Sequence, residues 1–324
     1  MTIVYKLLNK LQWLGVRLRL SSMRFQPAVL AKPRVRHVSA ALVAVIFLLS
    51  RLPPTAAAEQ IPRLRINYLA YPVDWNGKTI MIVARLQLPL GTETKLPAVI
   101  LLHGTGGVRY AGVYYATALN RAGIATLEID QWGGRGLPGG PSSRPRNLTD
   151  NLADVAGAYG LLSARSEMDA DRIGIFGSSM GGVEALLMMT RRNSDAVLGV
   201  GKHLRAAAVL YPICWLYNRV PGAELSDLVD APIRILVGSE DDYDSGPGAC
   251  EALLHDLKPG DGAYLSLRVF QGATHLFDSF EGDYKYDDPA SHRRQEGSVL
   301  VHANPEARQQ TRDDLAKFFT NAFR

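Results

Sequence analysis

From Glu59 onward, short apolar runs rich in β-branched residues alternate with longer stretches whose apolar residues recur at helical spacing. That alternation predicts an α/β domain built on a mostly parallel sheet. Arg63 to Leu69 and Thr79 to Leu88 read as strands flanking the turn signal Asn76-Gly77, so they should open the sheet as an antiparallel pair. Pro97 to Leu102 is apolar throughout, as a strand covered on both faces requires, and it ends at His103-Gly104-Thr105-Gly106-Gly107. A helix over Tyr110 to Ala122 and a strand over Ile124 to Ile129 follow, then a Gly/Pro/Ser-rich loop from Gln131 to Pro145. Asp150 to Ser163 reads as a helix, with caps offered by Asn147 to Asp150. Arg172 to Phe176 is a strand leading to Gly177-Ser178-Ser179-Met180-Gly181-Gly182, and a helix continues to Thr190. Strands are predicted over Ala206 to Tyr211, Ile233 to Val237 and Tyr264 to Phe270, with a helix at Ala249 to Leu257 and an amphipathic helix at Pro305 to Phe323. With no internal repeat and no convincing linker, residues 59–324 form one expected domain.

Charge separates the first 58 residues from this body. They hold nine of the 36 Lys and Arg residues and no acid, which leaves 27 basic against 31 acidic residues, a net of −4, for the remainder. The overall charge of +5 therefore belongs to the head, and a nucleic-acid partner is not expected. The head has the parts of a secretory leader: a basic region ending near Arg36, an apolar run from Val38 to Leu49, and Ala56-Ala57-Ala58 before Glu59. The apolar run falls short of the roughly 20 residues that span a bilayer, so cleavage after Ala58 and export to the periplasm or medium are expected, with membrane contact only through an uncleaved leader. Met23 would make a more ordinary start than Met1.

The candidate chemistry lies where the predicted parallel strands end, because loops at their carboxyl edges converge over one crevice. In Gly177-Ser178-Ser179-Met180-Gly181 the central residue of a G-x-S-x-G elbow is Ser179, a tight strand-to-helix turn that needs glycine on either side. Asp241 ends a later strand in Gly238-Ser239-Glu240-Asp241-Asp242, and His275 ends the last in Gly272-Ala273-Thr274-His275. A serine hydroxyl needs a base to take its proton, which is the role of His275, and the resulting imidazolium needs an anion, the role of Asp241. Two fixed donors must meet the oxyanion, and these are assigned to the backbone N–H groups of Met180 and of the Gly104 to Gly106 loop, with Thr105 the single choice there. Ser178 competes with Ser179, and Glu240, Asp242 and Asp244 compete with Asp241. His103 reads as a residue fixing the oxyanion loop, and Asn147-Leu148-Thr149 as a turn rather than a glycosylation site. The seven histidines show no metal spacing, so neither a metal nor an organic cofactor is expected.

The run Asp171-Arg172-Ile173-Gly174 into the elbow, the acid loop Gly238 to Asp242, Gly272-Ala273-Thr274-His275 with Phe277-Asp278, and Trp132-Gly133-Gly134-Arg135-Gly136 together resemble the dienelactone hydrolase family of α/β hydrolases. The likeness covers roughly residues 65 to 322 and implies the same nucleophile, acid and base. The enzyme naming the family carries cysteine at the elbow, so Ser179 turns the expectation from a dienelactone toward a general small-molecule ester. In that family's strand order the strands ending at Tyr211 and Val237 are neighbours, which implies that Cys214 and Cys250 lie at one edge and can form a disulfide. Ile213 to Asp230, rich in large apolar residues, is expected to form a short cap setting acyl or alcohol preference. Two other readings stand beside the esterase: a prolyl oligopeptidase-type serine peptidase, whose propeller repeats are absent from this sequence, and a catalytically silent binding protein on the same fold.

Overall fold

The computed structural model describes residues 62–91, 94–295 and 297–324. All lie in the unit Gln60–Arg324, so the leader expected over 1–58 falls outside the described residues. Strands β1 (Leu64–Trp75) and β2 (Lys78–Pro89) pair antiparallel across Asn76 and Gly77, both at positive φ, which is the geometry a two-residue hairpin turn demands. They continue through β3 (Leu96–Leu102), β4 (Ala125–Asp130), β5 (Met168–Ser178), β6 (Ala207–Leu210), β7 (Ile233–Glu240) and β8 (Leu265–Thr274). The eight strands form one sheet in the order β1-β2-β4-β3-β5-β6-β7-β8, antiparallel only where β2 meets β1 and β4.

The central strands alternate between two cores. Ile100 and Ile175 point into the layer containing helix α2 (Leu152–Ser163) and α3 (Met180–Leu187). Val99 and Leu101 point to the opposite layer with α1 (Tyr110–Arg121) and the C-terminal helix α6 (Pro305–Ala322). Burial on both faces is why these runs are apolar at every position rather than every second one. Between α3 and β7 the chain forms α4 (Arg191–Leu198), and α5 (Gly248–Asp256) precedes β8. A separate hairpin, β9 (Tyr284–Asp288) with β10 (Gly297–Val301), follows β8, and α6 (Pro305–Ala322) closes the chain.

Three expectations change. The segment Ile213 to Asp230 is not a cap over a cleft: Ile213, Cys214, Leu216, Tyr217, Leu225, Leu228 and Val229 are buried in the α2/α3 core, and Leu228 forms a bridge with Thr190. Its apolar residues pack the interior, and the covering role falls to the β9/β10 hairpin. Second, α2 begins at Leu152 and takes no side-chain cap. Asn147 and Asp150 bond each other, and the Asn151 amide is directed instead to Glu184, 2.9 Å away. Third, α4 and the hairpin were not foreseen. In α4, where polar residues dominate, only Ser194 and Leu198 are buried, and Thr190 caps it through the Asn193 N–H. No helix among the described residues is long and apolar enough to cross a membrane.

Candidate active site

Strand β5 runs straight into α3 with only Ser179 between them, and Ser179 sits at φ 52°, ψ −118°. A side chain at Gly177 would place its Cβ 2.1 Å from the Gly181 carbonyl oxygen, and one at Gly181 would lie 2.6 Å from the His103 carbonyl oxygen. Both neighbours must therefore be glycine for the turn to close. The Ser179 N–H donates to the Leu210 carbonyl of β6 at 2.9 Å, which ties the elbow to the next strand. Ser178 is the last residue of β5 and is not the residue at the apex.

β7 ends one residue before Asp241 and β8 one residue before His275, so all three groups stand at carboxyl edges of parallel strands. His275 Nε2 lies 3.0 Å from Ser179 Oγ and its Nδ1 lies 2.8 Å from Asp241 Oδ2. The other carboxylate oxygen of Asp241 accepts the Tyr243 N–H at 2.9 Å. The imidazole is buried between the rings of Tyr211 and Tyr243, with centroids 4.5 and 4.2 Å away. The competing acids are committed elsewhere: Asp242 accepts the Leu300 N–H, Asp244 accepts the N–H groups of Cys214 and Trp215, and Glu240 is exposed.

Across from the elbow, Gly104 crowds Ser179 so closely that an added Cβ would sit 3.2 Å from Ser179 Cβ. The loop is held by its other groups. The Thr105 carbonyl accepts from the Gly140 N–H and the Trp132 indole, and Thr105 Oγ1 accepts from Arg144 Nε at 3.3 Å. Met180 is the first residue of α3, and the N–H groups of a helix's first turn have no partner within the helix. His103 is buried; its Nδ1 lies 2.8 Å from the Gly104 carbonyl and its Nε2 accepts the Gln131 N–H at 3.1 Å. Because a carbonyl can only accept and an N–H only donate, this histidine is the neutral tautomer with its proton on Nδ1. Burial pushes its pKa below the ordinary value, against the pull of the Gly104 carbonyl and Asp130.

A cavity of about 300 Å³ opens over Ser179 and His275. Tyr110, Tyr115, Phe176, Tyr211 and Phe280 supply much of its wall, and β9 adds Tyr284 and Tyr286. None of its lining comes from residues 213–230. Asp278 lies at its base, fully buried, accepting from the hydroxyls of Tyr115 at 2.9 Å and Tyr211 at 2.6 Å. Burial raises the Asp278 pKa despite these two donors. Arg144, Tyr243 and Asp288 also line the cavity, and sequence reasoning missed all three. For Asp288 the signal was the alternation of Tyr284, Tyr286 and Asp288 opposite Val301, Val299 and Gly297, a period of two broken by polar residues.

Two buried acids lie behind the elbow. Glu184 of α3 accepts from Gln131 Nε2 at 2.7 Å and Asn151 Nδ2 at 2.9 Å, and burial pushes its pKa up to about 7. Burial and the neighbouring Asp241 push Asp244 up to about 7. Cys214 and Cys250 are joined in a disulfide, both fully buried, with Cα atoms 4.9 Å apart. Strands β6 and β7 are indeed neighbours, which brings the two cysteines together as the family resemblance implied. Cys214, Cys250 and Asp244 form a cluster of metal-ligand type, but both sulfurs are spent on each other.

A family model described as serine aminopeptidase, S33, matches residues 94–229. Two uncharacterized proteins from two strains of Mycobacterium tuberculosis are each 32% identical over 155 residues, which is 45% of this chain and 53% of theirs. The chain thus spans about half the length of the curated relatives it matches. Among solved structures, the dienelactone hydrolase of Anabaena variabilis superposes with a TM-score of 0.54 at 21% identity, covering 82% of this chain and all of that one. An esterase of Pyrobaculum calidifontis gives a TM-score of 0.57 at 16% identity over 86% of this chain and 90% of its own. At these identities the likeness speaks to the arrangement of strands and helices. By its eight-stranded sheet and the order of its connections, the chain has the α/β-hydrolase fold, the arrangement it shares with the Anabaena variabilis dienelactone hydrolase.

Proposed function

We propose that this protein is an exported serine hydrolase of small carboxylic esters. The observation that carries the reading is the continuous hydrogen-bonded line Ser179 Oγ, His275 Nε2, His275 Nδ1, Asp241 Oδ2, with links of 3.0 and 2.8 Å at the base of an aromatic cavity. In acylation, Ser179 Oγ attacks the ester carbonyl carbon while His275 Nε2 takes its proton. Asp241 stays ionised and holds the Nδ1–H. The oxyanion forms between the Met180 and Thr105 N–H groups. Collapse expels the alcohol, which leaves with the proton from His275, and an acyl group remains on Ser179. Water then attacks the acyl carbon, giving its proton to His275. The carboxylic acid departs as Ser179 Oγ recovers that proton.

The wall of tyrosines and phenylalanines favours a compact acyl or alcohol group with an apolar or aromatic body. Export is supported by the basic and apolar leader and by the Cys214–Cys250 disulfide, a bond that persists in oxidising compartments. In Ser179→Ala, turnover of p-nitrophenyl esters and labelling by a fluorophosphonate should both vanish; undiminished activity would overturn the assignment. The aminopeptidase description of the matching family model makes aminoacyl p-nitroanilides the natural second panel. Faster turnover of these than of the esters would move the reading to a peptidase with the same nucleophile.

A further inference from the structure

The hairpin β9/β10 does more than wall the cavity. Its strand β9 ends at Asp288, whose carboxylate is almost fully buried and takes four donors. Oδ1 accepts from Arg144 Nη1 at 2.7 Å and from the Ala290 N–H at 2.8 Å. Oδ2 accepts from Arg144 Nη2 and from the Tyr243 hydroxyl at 2.5 Å. Each of the two side-chain partners leads to a different part of the site. Arg144 Nε reaches Thr105 Oγ1 in the loop assigned to the oxyanion. Tyr243 gives its backbone N–H to Asp241 Oδ1 and lays its ring against His275.

We propose that Asp288 is a positioning residue that locks the oxyanion loop to the acid loop, so that the donor at Thr105 and the Asp241–His275 pair keep one fixed separation. The inference rests on the reading of Ser179, His275 and Asp241 as nucleophile, base and acid. The rest of the hairpin is built to hold Asp288 in place. Its β10 strand gives the Leu300 N–H to Asp242 Oδ2 at 2.7 Å, and the turn gives the His292 and Arg293 N–H groups to the carbonyls of Asp242 and Tyr243. Three successive residues in that turn, His292, Arg293 and Arg294, stand at positive φ, a conformation that costs energy and persists only where surrounding bonds enforce it. A second tyrosine of β9, Tyr286, places its hydroxyl 3.2 Å from that of Tyr243.

The bidentate guanidinium contact requires an anion at 288. Each carboxylate oxygen takes one Arg144 N–H, so an amide in either orientation sets its NH2 against the guanidinium, which can only donate. Thr105 and Tyr243 then lose their common anchor, and the oxyanion donor drifts relative to the base. Since a misplacement of about 1 Å can cost on the order of 100-fold, a tenfold or larger loss in kcat is the expected size, with KM held within about twofold because the aromatic wall is retained.

The experiment compares Asp288→Asn, Tyr243→Phe, Arg144→Gln and the Arg144→Gln/Tyr243→Phe double variant with wild type. Reactive sites are counted first by fluorophosphonate titration, and kcat is expressed per titrated site. Affinity for a trifluoromethyl ketone, which mimics the tetrahedral intermediate, is measured beside KM for a p-nitrophenyl ester. Coupling predicts a fall of about tenfold or more in per-site kcat and in ketone affinity for Asp288→Asn, with the double variant no worse than Asp288→Asn. A role in stability alone predicts fewer titrated sites and a lower melting temperature with per-site kcat unchanged, and that result overturns the proposal. If Asp288→Asn does not fold, unchanged per-site kcat in both Tyr243→Phe and Arg144→Gln overturns it as well. A wild type that reacts with no fluorophosphonate would instead sink the esterase reading itself.

Discussion

Glu184 shows how a single buried acid can be carried by polar neighbours without a cation of its own. Its carboxylate sits behind the elbow on α3 and is bonded by the amides of Gln131 and Asn151, which satisfy it as an anion but do not offset the loss of water. With its pKa pushed up from 4.5 to about 7, the folded state binds a proton that the unfolded chain has already released between those values. Stability linked to this group is therefore fully present below about pH 4.5 and lost as pH rises toward about 7. In urea unfolding across that range, Glu184→Gln should gain on wild type with rising pH and level off above about 7. A difference independent of pH would show that the carboxyl is not raised. Nothing in the sequence marks Glu184 for this: it reads as an ordinary polar residue five positions into a helix, and only the packing of α3 under Gln131 and Asn151 buries it.

At the scale of elements, what could be read from the chain was either an apolar run packed on both faces or a segment marked by a turn or a helical period, as in the β1/β2 hairpin around Asn76-Gly77 and in α6. The central strands appear as apolar runs because helices cover both sides of the sheet, and their ends, with that of the edge strand β8, place Ser179, Asp241 and His275 together. Elements that pack on a polar network were harder to see. The β9/β10 hairpin gives its inward positions to Tyr286, Asp288 and Val299, so hydrophobicity alone does not outline it. Conversely, Ile213 to Asp230 looked like a cap because it is apolar, yet that surface turns into the core. The disulfide anchors this segment to α5 across 36 residues of chain. Closing a loop of that size is worth about 2–4 kcal/mol, chiefly through the unfolded state. A Cys214→Ala/Cys250→Ala variant should therefore lose about that much in urea unfolding. Because both sulfurs are fully buried, dithiothreitol should leave the native protein active while lowering its urea midpoint by a similar margin. Equal midpoints with and without reductant would show that the bond is not formed in solution.

For the molecule as a whole, the sheet, both cores and the candidate site all lie in Gln60–Arg324. A chain shortened to those residues should fold and hydrolyse p-nitrophenyl esters with unchanged kcat per titrated site, and protein recovered after export should begin at Glu59. An inactive or insoluble shortened chain would show that the first residues contribute to the fold. The same sheet also limits which nucleophiles the site can ever hold. Residue 179 stands at positive φ with Gly104 close against its Cβ, and a branched Cβ is strongly disfavoured in that conformation. Serine and cysteine can occupy the position, whereas threonine cannot without breaking the turn. The backbone thus restricts the reacting group to an unbranched alcohol or thiol before any proton moves, and the nearest accessible change in this protein's chemistry is one atom, oxygen for sulfur.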